Sequence, residues 1–115
     1  MNRLDFSVSM CVYGKDNPKH FDEAINSVID QTCPPTEIVI TVDGPIPDEI
    51  EAVLNKYDKK LDGTGIQYKI VRLEKNMGHG EARRTGFNNC SYIVIQRDSY
   101  GELPILQKPP RDSSI

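Results

Sequence analysis

The chain has 115 residues, of which 37% are hydrophobic and 27% charged, and its formal net charge is -3. That size and balance suit one ordinary globular domain and exclude a disordered chain. A net negative chain lacks the surplus of Lys and Arg that general nucleic-acid binding needs, although a small anionic ligand needs only one or two local cations.

No run of about 18 apolar residues occurs, so no membrane-spanning helix is expected. The start, "MNRLDFSVSM", places Asp5 and alternating serines where a signal peptide needs a continuous apolar core. The three cysteines, Cys11, Cys33 and Cys90, form no C-x-x-C pair. Neither a zinc site nor a disulfide framework is indicated, and reduced thiols in a cytoplasmic protein are the simplest reading.

In chain order, "FSVSMCV" alternates Phe6, Val8, Met10 and Val12 with Ser7, Ser9 and Cys11, which predicts a first strand buried on both faces. Cys11 is expected in the core. Phe21, Ala24, Ile25, Val28 and Ile29 then recur at helical spacing. Asn17 can cap that helix, Pro18 suits its first turn, and Pro34-Pro35 should end it. "EIVITVD" is a near-continuous apolar run, as in a strand of a parallel sheet covered on both faces. A second helix follows over "PDEIEAVLNKYDKK", with Ile50, Val53, Leu54 and Tyr57 on one side. "LDGTG" is a turn and "IQYKIVRLE" a third strand. Gly78 to Cys90 is a weaker helix, with Ala82 and Phe87 inward and Gly86 allowing close packing. "YIVIQRD" is a fourth strand, and from Tyr100 onward no helical or strand period is visible.

The order β-α-β-α-β-α-β predicts an α/β fold, three layers deep, around a mostly parallel sheet. Ligands of such sheets bind beyond the carboxyl ends of the strands. Four motifs fall there: Tyr13-Gly14, Asp43-Gly44, Asn76-Met77-Gly78 and Asp98. For Asp43, position leaves two readings open: a turn-forming acid, or a carboxylate that accepts from a base N–H or a ribose hydroxyl. In "NMGHGEARRTG", glycines precede a helix carrying Arg83 and Arg84, which suits an anion but also describes an exposed loop. That spacing fits neither the dinucleotide fingerprint nor a P-loop. His79 is a general base, a phosphate contact or an ordinary surface histidine. The paired acids that a receiver domain carries after strand one are absent, which disfavours that doubly wound alternative.

These segments together resemble the start of a family 2 glycosyltransferase with the GT-A, nucleotide-diphospho-sugar transferase-like fold. The resemblance rests on Val12-Tyr13 ending strand one, "FDEAINSVIDQT", the cis-style lead "QTCPPTEIVI", Asp43-Gly44, and Asn76 to Gly86 as N-x-G-x-x-x-A-R-x-x-G. It runs from about Phe6 to Asp98. It implies residues 6–98 as the nucleotide-sugar-binding half of a GT-A domain and residues 99–115 as a divergent tail.

The implied activity is transfer of a hexose from a nucleotide-diphosphate sugar, of UDP type, in polysaccharide or glycan synthesis. The implied partners are that donor and a glycan or lipid-linked acceptor, with the full-length form touching a membrane surface. Substrate binding falls by this resemblance to Val12, Tyr13, Asp43, Asn76, Gly78, Arg83 and Asp98. Asp98 would open the family's D-x-D motif and hold Mg²⁺ or Mn²⁺. Here the chain departs from the pattern: it reads Asp98-Ser99-Tyr100-Gly101, without the second acid. The expectation is therefore a chain truncated near that motif. The alternative is a non-catalytic nucleotide-binding module that self-associates, as a homodimer, through a strand left unpaired at the sheet edge.

Overall fold

The computed structural model describes residues 5–97 and 105–107. Its elements are β1 (Phe6–Val12), α1 (Pro18–Ile29), β2 (Glu37–Asp43), α2 (Asp48–Lys60), β3 (Gln67–Leu73), α3 (His79–Asn88), β4 (Ile93–Arg97) and β5 (Ile105–Gln107). One sheet runs in the order β3-β2-β1-β4-β5. The first four strands pair in parallel and β5 lies antiparallel on β4. The fold is thus the expected three-layer α/β/α arrangement on a mostly parallel sheet.

The chain steps outward from β1 to β3 and then returns to the far side of β1 for β4. The topological switch point therefore lies between β1 and β4, where open sheets of this kind leave a crevice.

The parallel register sorts the side chains. Val8 stands beside Ile38 and Ile95, and Met10 beside Ile40. These residues join Phe21, Ile25 and Val28 of α1 and Ile50, Leu54 and Tyr57 of α2 in the main core. The helices form because their apolar residues fall on one side at helical spacing, and burying that side stabilises them more than intrinsic propensity does. Asn17 caps α1 by accepting from the amides of Lys19 and His20, with Pro18 in the first turn. The helix stops at Ile29, earlier than the prolines suggest. There Asp30 donates its amide to the Asn26 carbonyl and Gln31 its side chain to that of Val28, so the end is satisfied before Pro34 is reached. No peptide bond among the described residues is cis, so the lead into β2 is trans throughout.

The opposite sheet face is polar. Ser7, Ser9, Glu37, Thr41 and Asp43 are all buried there, beneath α3. Apolar support on this side is limited to Val39, Cys90 and Val94, with Val71 and Phe87 partly buried beside them. Burial raises the Cys90 thiol to about 12, so this cysteine is an inert packing residue.

Helix α3 reaches so polar a surface because Gly86 has no side chain. A Cβ at Gly86 would lie 2.5 Å from Ser9 Oγ and 2.8 Å from Thr41 Oγ1. Both hydroxyls are buried without a hydrogen-bond partner. Gly86→Ala is accordingly expected to cost about 1–3 kcal/mol through overpacking. Ser9→Ala removes an unsatisfied hydroxyl and should be neutral or stabilising alone. Combined with Gly86→Ala it should recover part of the loss. Urea unfolding of the two single variants and the double variant checks this, and strict additivity would contradict the contact.

One expectation changes. Residues 105–107, "ILQ", form an edge strand although too short to show a period, because pairing with the outer edge of β4 satisfies their backbone groups. The outer edge of β4 is therefore covered, and the sheet ends at β3 and β5.

Candidate functional site

The loops after β1, β2 and β3 meet at the carboxyl ends of the strands, and glycines let them touch backbone to backbone. A Cβ at Gly14 would sit 2.8 Å from the Pro45 carbonyl oxygen. A Cβ at Gly44 would sit 2.6 Å from the Asn76 amide nitrogen, and Gly44 also has a φ of +89°. That value lies in the left-handed region that glycine alone enters without strain.

Asp43 completes the junction. It is the last residue of β2 and only 5% exposed. One carboxylate oxygen accepts from the Met77 amide at 2.6 Å and the other from the Gly78 amide at 3.1 Å. The Asn76 side chain donates to the Asp43 carbonyl at 3.4 Å. Both oxygens of Asp43 thus hold the turn that enters α3. This is a third role beside the turn-former and the ligand acceptor considered from sequence, and the sequence did not reveal it because the amides it binds lie more than thirty residues away.

The turn after β1 is closed in a similar way. The Asp16 carboxylate accepts from the Tyr13 amide at 3.0 Å, and the Asp16 amide donates to the Tyr13 carbonyl at 3.1 Å. Asp16 is buried. Its signal was legible in "YGKDNP", where an acid three residues after Tyr13 suits a self-capping turn.

These turns border a small open cleft lined by Cys11, Val12, Tyr13, Asp16, Asp43, His79 and Ala82. The rings of Tyr13 and His79 meet edge to face, with centroids 5.9 Å apart. Cys11 is half-buried on this wall, so it is a lining residue and not the core residue expected. Val12 belongs to the apolar core and also reaches the cleft. Gly78 precedes α3 with a φ of +95°. Asn76 and Arg83 are exposed, Arg83 standing one helical turn beyond His79. Asp98 lies outside the described residues. The described residues hold no group of three or more His, Cys, Asp or Glu side chains able to bind a metal ion. That donor set does not fit a divalent ion, and the metal reading rests on Asp98.

The far end of α3 is anchored by a second buried acid of β2. Glu37, fully buried, accepts from Ser7 Oγ at 2.7 Å, from the Ser91 amide at 2.8 Å and from Ser91 Oγ at 3.3 Å. Lys69 of β3 pairs with it at 3.0 Å and also donates to the Asn89 carbonyl at 2.9 Å, at the carboxyl end of α3. Burial by itself would raise the Glu37 carboxyl. The bonds from Ser91, Ser7 and Lys69 and the Lys69 charge outweigh it and hold the group below 4.5. Glu37 and Asp43 lie on one face of β2, six residues apart, and together they fix both ends of α3 over the sheet. No helix among the described residues is long and apolar enough to cross a membrane.

The family model for glycosyl transferase family 2 matches residues 7–95. The chain is 38% identical over 95 residues to a UDP-Gal:alpha-D-GlcNAc-diphosphoundecaprenol beta-1,3-galactosyltransferase of Escherichia coli, covering 82% of this chain and 33% of that protein. It is 34% identical over 92 residues to the amylovoran biosynthesis glycosyltransferase AmsE of Erwinia amylovora, covering 80% of this chain and 33% of that one. Among solved structures, it resembles S. aureus TarS 1-349 with a TM-score of 0.66 and 26% identity, over 84% of this chain and 28% of that one. It also resembles a mannosyltransferase from Pyrobaculum calidifontis with a TM-score of 0.68 and 15% identity, over 86% of this chain and 28% of that one. The chain thus spans about a third of the length of the curated relatives it matches.

Proposed function

The chain belongs to glycosyl transferase family 2, and on that premise we propose that its residues 6–98 bind the nucleotide-diphosphate end of a sugar donor, of UDP type, for hexose transfer in glycan or polysaccharide synthesis. The observation that carries this reading is the cleft at the carboxyl ends of β1 and β2, beside the start of α3, bordered by turns that Gly14, Gly44 and Asp43 lock together. A rigid, pre-formed rim limits the ordering that ligand binding must impose. The galactosyltransferase relative, named for UDP-Gal, supports a uridine nucleotide as the first ligand to test.

In this reading the Tyr13 ring borders the base. The first turn of α3 offers amides not engaged within the helix, and Arg83 adds a charge one turn on. A divalent ion enters only through Asp98, where it would act as a Lewis acid for the leaving nucleotide. The diphosphate charge otherwise falls to the protein groups of the rim. The acceptor, a glycan or lipid-linked sugar, belongs to the same proposal.

Calorimetric titration with UDP, with and without Mn²⁺, tests it. Arg83→Ala is expected to weaken UDP binding about tenfold, the value of one lost charge-assisted bond. Its unfolding midpoint should stay unchanged, because Arg83 is exposed. No UDP binding by the unaltered chain, with or without metal, would refute the proposal.

A further inference from the structure

The cleft poses an electrostatic problem for the ligand proposed above. Two of its lining residues, Asp16 and Asp43, carry buried carboxylates. A nucleotide-diphosphate sugar brings two further negative charges on its phosphates. Of the side chains lining the cleft, only His79 can become a cation. Arg83 is not in the lining, although it lies on the same side of α3 one turn away. The His79 ring is exposed, and the Tyr13 ring beside it helps to orient it.

We propose that His79 is a ligand-binding residue whose imidazolium form contacts the diphosphate of the sugar nucleotide, while Tyr13 forms the adjoining aromatic wall. This rests on the nucleotide-sugar reading and adds a residue and a pH dependence to it. The groups facing His79 are Cys11, Tyr13 and Asp16 from β1 and its turn and Asp43 from β2, with Glu81 and Arg83 on its own helix. Of these side chains the imidazole is the one whose type ordinarily changes charge between about pH 5 and 8. A carboxylate only accepts hydrogen bonds, so neither aspartate can bind a phosphate oxygen directly. Proton and ligand are therefore linked: the ligand favours imidazolium, and affinity falls as the imidazole loses its proton.

UDP-glucose is the suitable probe, because its phosphates are diesters that hold constant charge across this range. For the intact chain, affinity for UDP-glucose should fall about tenfold from about pH 6 to pH 8, one charge-assisted bond's worth. In His79→Gln the affinity should stay flat and match the high-pH value of the intact chain. Saturating UDP-glucose should also raise the midpoint of the His79 imidazole titration followed by NMR. Binding by the intact chain with the same pH profile in His79→Gln overturns the role of His79 and leaves the nucleotide-sugar reading standing. Absence of UDP-glucose binding by the intact chain at every pH overturns both. Affinity that rises with pH also overturns the role, since it would mean that the carboxylates recruit a cation.

Discussion

Replacing Gly44 with alanine is expected to cost about 3 kcal/mol of stability and to abolish nucleotide binding. Two effects add. At a φ of +89° an L-residue bears left-handed strain, worth about 1–2 kcal/mol. The new Cβ would also stand 2.6 Å from the Asn76 amide nitrogen and 3.0 Å from both Asn76 Cα and the Lys75 carbonyl carbon. These are backbone atoms and cannot rotate away. Overpacking of this kind typically costs about 1–3 kcal/mol. Relief comes only if the turn at 75–78 moves, which breaks the bonds from Met77 and Gly78 to Asp43 and opens the cleft.

Gly63→Ala is the matched control. Its φ is +84° and nothing lies within 4 Å of the added Cβ. It should therefore show the conformational cost alone, about 1 kcal/mol, with UDP-glucose binding intact. Urea unfolding and titration of both variants separate the terms. Equal losses of stability in the two would mean that Gly44 matters only for its backbone angle.

The second large effect is expected at the opposite end of the sheet. Lys69→Met removes the cation paired with the fully buried Glu37 and strips a bond from the Asn89 carbonyl. Leaving a buried carboxylate without its partner costs about 3–5 kcal/mol, and the lower end applies here because the serine and Ser91 amide bonds remain. The sign with pH follows from the causes of the shift. In the intact chain the folded carboxyl is held below its ordinary 4.5, so the network contributes stability above that value and loses it as pH falls through the folded value. Without Lys69 two of the causes that lower it are lost, so the folded carboxyl moves up from its value in the intact chain. The stranded charge can then be neutralised by mild acid. The destabilisation by Lys69→Met should thus be about 3 kcal/mol at pH 7 and clearly smaller near pH 4. Asp22 and Glu51, whose carboxyls are also held low, are unchanged in the variant and cancel in the difference. A loss independent of pH would show that Lys69 acts through its bond to the Asn89 carbonyl and not through Glu37.

Several features were legible without coordinates because they depend on short-range periodicity. The alternation in β1, the apolar run of β2, the helical spacing of Phe21 to Val28 and of Ile50 to Tyr57, and the Asn17 cap all appear as read. Their physical cause lies within a few residues of each position. The parallel sheet and the clustering of Tyr13-Gly14, Asp43-Gly44 and Asn76-Gly78 at one end follow from connection lengths alone. Gly86 was also read correctly as a close-packing position, since a glycine inside a helix has few other uses.

What the chain order could not decide was the partner of each polar group. Asp43 reads as a ligand acceptor or a turn acid, yet its oxygens hold amides on the loop after β3. Glu37 reads as the first residue of an apolar strand, yet it anchors α3 through Ser7, Lys69 and Ser91. Cys11 alternates like a core residue but opens on the cleft, and His79 gains meaning only beside Tyr13. The strand at 105–107 exists because β4 offers it an edge. Apolar patterning is local, so residue order alone specifies the layers and the end of the sheet where the loops gather. Hydrogen bonds and ring contacts join residues many positions apart, so which acids build the frame and which side chains face the cleft emerges with the folded chain.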